Sequence, residues 1–369
     1  MAKVTYLFLF SYLCLFVVST LKIEIFYYLM HSAITSYRML YFFIALLLLL
    51  LFLFELIFGS VAFSLSQVYH AIIHPLEADA ATKILWSFRL PRACTALLAG
   101  AALSVCGVQM QTLFRNPLAD PYILGISSGA GFGVAIFVMG FSAGTFSTGV
   151  PLLMNLGIAS AAWMGALVVS ALVMAASKRL SSTGSLLILG IMIGSVGSAF
   201  ISMLQYISSA SSLKMYVLWT FGSFSGVMGT SLLIMGILVI LGIGLSIFNI
   251  KDLNALNMGE TYSKSLGVNI NGVKNRIFIS TALLAGSVTA FCGPIGFVGI
   301  AVPHLARMFF KNANHKTLIP SAALLGACVM LFADLVSQLP GSHKVLPINT
   351  VAAMLGIPVV ILIILQNRS

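Results

Sequence analysis

Covalent, acid–base or metal chemistry in this chain would have to come from few groups: eight acidic residues, six histidines and five cysteines among 369 residues. Cys14, Cys94, Cys106, Cys292 and Cys328 sit singly in apolar runs, without metal-ligand or disulfide-framework spacing, and read as buried thiols. Only Glu55 and Asp334 fall inside apolar stretches, and two carboxylates so far apart in the chain suggest no proton or sodium relay. A lone His304 beside a helix end reads as structural. The pattern G-x-x-x-x-G-K-[ST] is missing from the sequence, so no P-loop serves nucleotide hydrolysis. No catalytic residue, metal site or cofactor is expected. What remains is recognition.

Two stretches could do it. In "WSFRLPRACT" (86–95), Arg89 and Arg92 stand three apart before an apolar run, and Pro91 stiffens the approach. They read either as anchors of a helix end or as exposed guanidinium groups for carboxylates on an outside partner. The longest polar interval is "NIKDLNALNMGETYSKSLGVNINGVKNR" (249–276). There Asn257 and Glu260 have the spacing of a capping box, and Gly267 that of a helix stop. A helix over 258–266 would be about 13 Å long and marginal alone. The interval is then either an ordinary loop or a docking helix for a cytoplasmic partner.

The elements that must hold these groups follow from composition. Hydrophobic residues make up 60% of the chain and charged residues 7%, against about 25% charged in soluble domains. The chain is an all-α polytopic membrane protein. Apolar windows predict ten crossings at about 40–63, 93–113, 122–141, 152–177, 186–206, 227–248, 277–292, 295–310, 318–338 and 348–365. The eighth is short, and Pro303 within it predicts an interrupted, partly extended crossing.

With the first crossing running outward, eleven basic residues (115, 178, 179, 251, 264, 274, 276, 307, 311, 316, 368) fall inside and five (83, 89, 92, 214, 344) outside. That asymmetry places both ends of the ten-helix core in the cytoplasm and accounts for the net charge of +11 without nucleic acid. Residues 1–38 stand apart. "VTYLFLFSYLCLFVVST" (4–20) is compatible with an eleventh crossing, a signal-like segment or an interfacial helix.

"TALLAG" occurs at 95–100 and again at 281–286, each copy followed after five residues by Cys-Gly. Five predicted crossings separate the copies, so they enter the membrane from opposite sides. That is the pattern of an inverted-topology repeat, common in alternating-access transporters. Ala99, Gly100, Ala285 and Gly286 would permit close helix packing. "RNPLADPYILGISSGAG" (115–131) and "GPIGFVGIAVPHLAR" (293–307) break helices with Asn116, Pro117, Pro121 and Gly125, and with Gly293, Pro294 and Pro303. Such breaks are tolerated where backbone lines a cavity or is buried by protein. Pro347 introduces the last crossing.

Several ordered stretches resemble one family, the FecCD-like permeases of bacterial type II ABC importers for ferric siderophores, haem and vitamin B12. They are "RLPR" (89–92), "GVQMQTLFRNPLADPYILGISSGA" (107–130), "LNMGETYSKSLGV" (256–268), "GPIGFVGIAVPHLAR" (293–307), "ADLVSQLP" (333–340) and "LPINTVAAMLGIPVVILIIL" (346–365). The similarity runs from about residue 60 to the C-terminus and leaves out the N-terminal extension.

The resemblance implies a permease domain over 39–369, with halves at about 39–206 and 227–365 and a cytoplasmic coupling loop, 249–276, within the second half. It implies a second permease subunit, most simply a homodimer, with the substrate path at the interface. It implies that Asn257, Met258, Gly259, Glu260, Leu266 and Gly267 couple to a cytoplasmic ATP-binding cassette subunit. Arg89 and Arg92 would meet a substrate-binding protein. A third arginine of some relatives is here Gln338, which Lys344 could replace. Ser181, Ser182, Thr183, Gly184 and Ser185 resemble the family's cytoplasmic gate, and read equally as a tight turn with a helix cap. An iron complex is the expected cargo, with cobalamin the alternative. An ion-driven secondary transporter, which needs no ATPase subunit, and a membrane receptor without transport are the competing classes.

Overall fold

In a hydrocarbon solvent an apolar run can satisfy its own backbone only as a helix or in a closed barrel, and this chain builds helices. The computed structural model describes residues 37–59, 63–75, 79–140, 151–180, 183–338 and 345–366. Within them are α1 (Tyr37–Ile57), α2 (Leu65–Ile73) and α3 (Ala80–Phe114, with a π-helical turn at Leu85–Arg89). Then come α4 (Ile126–Gly140), α5 (Pro151–Ser177), α6 (Thr183–Ile207), α7 (Ala210–Thr220) and α8 (Thr230–Phe248). Next are the short α9 (Ile250–Met258) and α10 (Glu260–Ser265), followed by α11 (Ile270–Cys292), α12 (Val298–Phe310), α13 (His315–Ser337) and α14 (Ile348–Gln366). No strand occurs among the described residues.

Seven of these, α1, α3, α5, α6, α8, α11 and α13, are long and apolar enough to cross a membrane, and α4, α12 and α14 are shorter apolar helices. The ten coincide with the ten predicted crossings. The question of an eleventh falls on residues 1–36, outside the described residues.

Two helices form the centre. In α3 and α11, 83% and 72% of the membrane window is buried, against 11% in α6. Both central helices carry a "TALLAG" copy. The direction of each copy is visible at the end where α9 and α10 lie. Arg115, just past the end of α3, donates to the Leu256 carbonyl, while Lys274, near the start of α11, pairs with Glu260. The two copies therefore run in opposite directions through the bundle.

Packing follows the same inverted plan. α3 lies on α13 as α11 lies on α5, and α4 contacts α5 and α6 as α12 contacts α13 and α14. α3 also meets α12 as α11 meets α4. The packing expectation for the small residues holds for Gly100, where an added methyl would sit 2.1 Å from the Gly326 carbonyl oxygen of α13. It fails for Gly286, where a methyl would find ordinary contact with Trp163 at 3.7 Å.

Both breaks fall at equivalent places, directly after α3 and directly after α11. The first spans 115–125 and ends in a 3-10 turn, Pro121–Leu124, closed by Gly125 at φ +76°. The second spans 293–297. They touch: the Tyr122 hydroxyl accepts from the Ile295 N–H and meets Thr289, and Pro121 packs on Gly299.

The position of the second interruption corrects the expectation based on Pro303. Helix α12 runs unbroken through that residue, and the non-helical part is Gly293–Phe297, with Phe297 itself left-handed at φ +68°. Helical geometry persists because Pro303 deprives only one acceptor, the Gly299 carbonyl, and Gln111 Nε2 of α3 donates to it at 3.3 Å.

Candidate functional site

The first site is the projection formed by α9 and α10. The expected capping box does not form. Asn257 is the penultimate residue of α9 and its Nδ2 donates to the Ala313 carbonyl, while Glu260 opens α10. Between them Gly259, at φ +123° and ψ +146°, turns the chain and splits the single expected helix in two. The region is essentially reserved for glycine.

Gly267 does stop the helix. At φ +80° it closes a Schellman motif, in which its own N–H donates to the Lys264 carbonyl and the Val268 N–H to the Ser263 carbonyl, both at 3.0 Å.

The pair is fastened rather than loose. Arg276 of α11 donates to Asn249 at 2.7 Å and pairs with Asp252, and Lys274 pairs with Glu260 at 3.0 Å. Its free side carries Met258, Tyr262 and Leu266, which are 69%, 49% and 58% exposed. Met258 ends α9, Tyr262 lies on α10 and Leu266 just after it, so this exposed apolar stripe crosses the Gly259 turn and does not follow one helix face. Tyr262 was not among the sequence candidates.

The second site lies at the opposite end of α3. Of the two readings, anchors of a helix end and exposed guanidinium groups, the structure corrects the second: both side chains are engaged by the bundle. Arg89 is buried, donates to the Leu56 and Ile57 carbonyls at 2.6 and 2.8 Å, and lies 4.0 Å over the Phe63 ring. Arg92 grips Asp334 of α13 bidentately, Nε to Oδ2 and Nη2 to Oδ1, both at 2.7 Å. It also donates to Ser225 and Ser337. These positions fill because backbone carbonyls freed at the end of α1 and a carboxylate within the bundle both demand donors.

The in-span carboxylates, read in the sequence as unrelated, meet at this place. Gln338 Nε2 donates to Glu55 and lies 3.5 Å from Asp334 Oδ2. Arg92, Asp334, Gln338 and Glu55 thus form one hydrogen-bonded cluster. Gln338 is committed inside the bundle, and Lys344 lies outside the described residues.

Of the gate stretch, Ser181 and Ser182 also lie outside the described residues. Thr183 opens α6, Gly184 is exposed and Ser185 is half-buried. The last break residue, Pro347, precedes α14, and its carbonyl accepts from the Thr350 and Val351 N–H groups. No group of three or more metal-ligating side chains occurs among the described residues.

Between the two ends, Gln111 serves the α12 break: it donates to the Gly299 and Ile300 carbonyls and accepts from Arg307. Gln111→Leu should orphan the buried Gly299 carbonyl and take a partner from the half-buried Arg307, lowering stability by about 1–3 kcal/mol. Thermal unfolding in detergent checks this, and an unchanged midpoint would show that Gly299 needs no side-chain donor.

The chain is similar to known proteins over most of its length. The FecCD transport family matches residues 47–366. The hemin transport system permease HmuU of Yersinia pestis is 36% identical over 307 residues, covering 83% of this chain and 90% of its own. The vitamin B12 import system permease BtuC of Citrobacter koseri is 34% identical over 284 residues, covering 77% and 83%. A metal-chelate type ABC transporter solved in an inward-facing conformation superposes with a TM-score of 0.77 at 30% identity, covering 89% of this chain and all of that one. With the helix order, the paired breaks and the α9–α10 projection in place, the chain belongs to the FecCD family of ABC importer permeases.

Proposed function

We propose that the chain is the membrane subunit of a bacterial inner-membrane importer that brings an iron complex, a siderophore chelate or haem, into the cytoplasm. A separate ATP-binding cassette subunit supplies the energy. The observation that carries this reading is the exposed stripe Met258–Tyr262–Leu266 on a short helix pair that is itself bound to α11 and α13. A docking surface needs an apolar face on a firm support, and this one has both. The chain lacks a P-loop of its own, so it does not hydrolyse nucleotide by that route.

The end carrying α9 and α10 then faces the cytoplasm, in keeping with the excess of basic residues there. A substrate-binding protein meets the opposite face, around α2 and the start of α3. The apolar, exposed positions Ile188, Ile191, Met192, Val196, Phe200 and Met203 lie along one side of α6. That side suits a second copy, with the path between the two and the 181–185 stretch as its inner gate. Vitamin B12 is the second cargo reading, supported by the similarity to BtuC. An ion-driven mechanism has less support, because both in-span carboxylates are engaged by Arg92 and Gln338.

Purification of the chain from its native membrane tests the reading. A stoichiometric ATP-binding subunit is expected alongside it, and in proteoliposomes ATP should drive uptake of haem or a ferric chelate. A chain that comes out alone and transports under an ion gradient would overturn the importer reading. Uptake of cobalamin alone would overturn the iron assignment only.

A further inference from the structure

One fully buried histidine joins the coupling projection to the centre of the bundle. His315, the first residue of α13, has no exposed surface. Its backbone N–H and its ring Nδ1 lie 2.9 and 2.8 Å from Asn254 Oδ1 on α9. Its Nε2 lies 2.7 Å from Thr112 Oγ1 on α3. A backbone N–H can only donate, which fixes Asn254 Oδ1 as the acceptor. Nδ1–H then donates to the same oxygen, and the single Thr112 hydroxyl proton is shared between two acceptors in reach, Nε2 at 2.7 Å and the Val108 carbonyl at 2.8 Å. Asn254 Nδ2 completes the junction by donating to Asn314 Oδ1 at 3.0 Å.

The consequence depends on how α3 and α13 are held elsewhere. At mid-length the two backbones touch at Gly100 and Gly326, leaving no room for a methyl group on either. At the far end, about 29 Å along α13, Asp334 grips Arg92 of α3 at 2.7 Å. The pair is therefore fastened near both ends and in the middle, and packed helices so joined move as a body rather than bend.

We propose that His315 is a positioning residue for transport. It fixes α9 to the α3–α13 pair, so that displacement of α9 carries both helices together, including the Arg92–Asp334 junction at the opposite face. This rests on the reading of α9 and α10 as the surface on which the ATP-binding subunit acts.

The test uses the purified complex with that subunit in proteoliposomes. Uptake per ATP hydrolysed, normalised to assembled subunit, should fall in His315→Ala by an amount in the usual range of coupling effects, roughly 5- to 150-fold. His315→Asn, whose amide can still donate to Asn254, should recover part of the loss. Unchanged uptake per ATP, or a fall only in proportion to lost assembly, would overturn the proposal. Should the alanine variant fail to fold, spin labels in the otherwise native complex decide. The Lys251–Phe332 distance, from α9 to α13, should stay constant between nucleotide-free and nucleotide-bound states, while Lys251–Ile191, from α9 to α6, changes. A nucleotide-dependent Lys251–Phe332 distance would overturn the rigid linkage. Constancy of both distances would instead overturn the importer reading.

Discussion

Asp334→Ala is expected to lower the unfolding free energy by about 3–5 kcal/mol, because it strands the Arg92 guanidinium inside the bundle. Asp334 is 1% exposed and Arg92 15%, so water cannot replace the lost partner. Gln338 holds the neighbouring position, donating to Glu55 and lying 3.5 Å from Asp334 Oδ2. Denaturation in mixed micelles measures the loss. The double variant Arg92→Met with Asp334→Leu should recover most of it, since matched apolar side chains avoid the stranded charge. A loss under about 1 kcal/mol, the size of an exposed ion pair, would mean that the arginine is solvated in the native membrane. It would then be available to an acidic partner in the way the sequence suggests. A large loss instead makes α3–α13 fastening the first role of Arg92, and any docking role then requires the partner's carboxylate to compete with Asp334.

What could be read from the sequence divides along a physical line. Ten membrane helices were legible because each is a local run of apolar residues, and hydrocarbon enforces helix on such runs. The opposed "TALLAG" copies were legible because their direction follows from counting crossings. Gly267 was legible as a helix stop because a left-handed C′ residue is a local requirement. Partnership was not legible. Arg92 and Asp334 are 242 positions apart, and nothing near either names the other, so the two arginines before a helix read equally as anchors and as exposed groups. Glu55 and Gln338 stayed hidden for the same reason. Pro303 misled in a related way: its missing N–H is a local fact, but the Gln111 amide that repairs the damage comes from a different helix. The Asn257–Glu260 spacing matched a capping box, yet the backbone of Gly259 decided the geometry first.

The same glycine carries the largest functional effect expected of a single substitution. Gly259→Val places a β-branched residue at φ +123°, where strain alone costs about 1–3 kcal/mol. Its Cβ would also sit 2.7 Å from Arg115 Nη2. Neither cost falls on the α3–α11 centre, so the bundle should still assemble. The strain is relieved by swinging α10 relative to α9, which separates Tyr262 and Leu266 from Met258 and dissolves the stripe. Retention of the ATP-binding subunit on an affinity resin, and uptake in proteoliposomes, should each fall by more than about tenfold, the loss of a contact worth about 1.4 kcal/mol or more. Gly267→Asn is the matched control. That position is left-handed at φ +80° with open space around it, a conformation asparagine tolerates, so the helix stop is kept, and any loss of uptake there reports contact with the ATP-binding subunit and not a changed backbone. Full uptake by Gly259→Val would show that the ATPase does not read the angle between the two short helices. The residues fastening α9 to the bundle would then suffice for coupling without the stripe. Failure of both variants would instead show that the projection tolerates a side chain at neither of its positive-φ glycines.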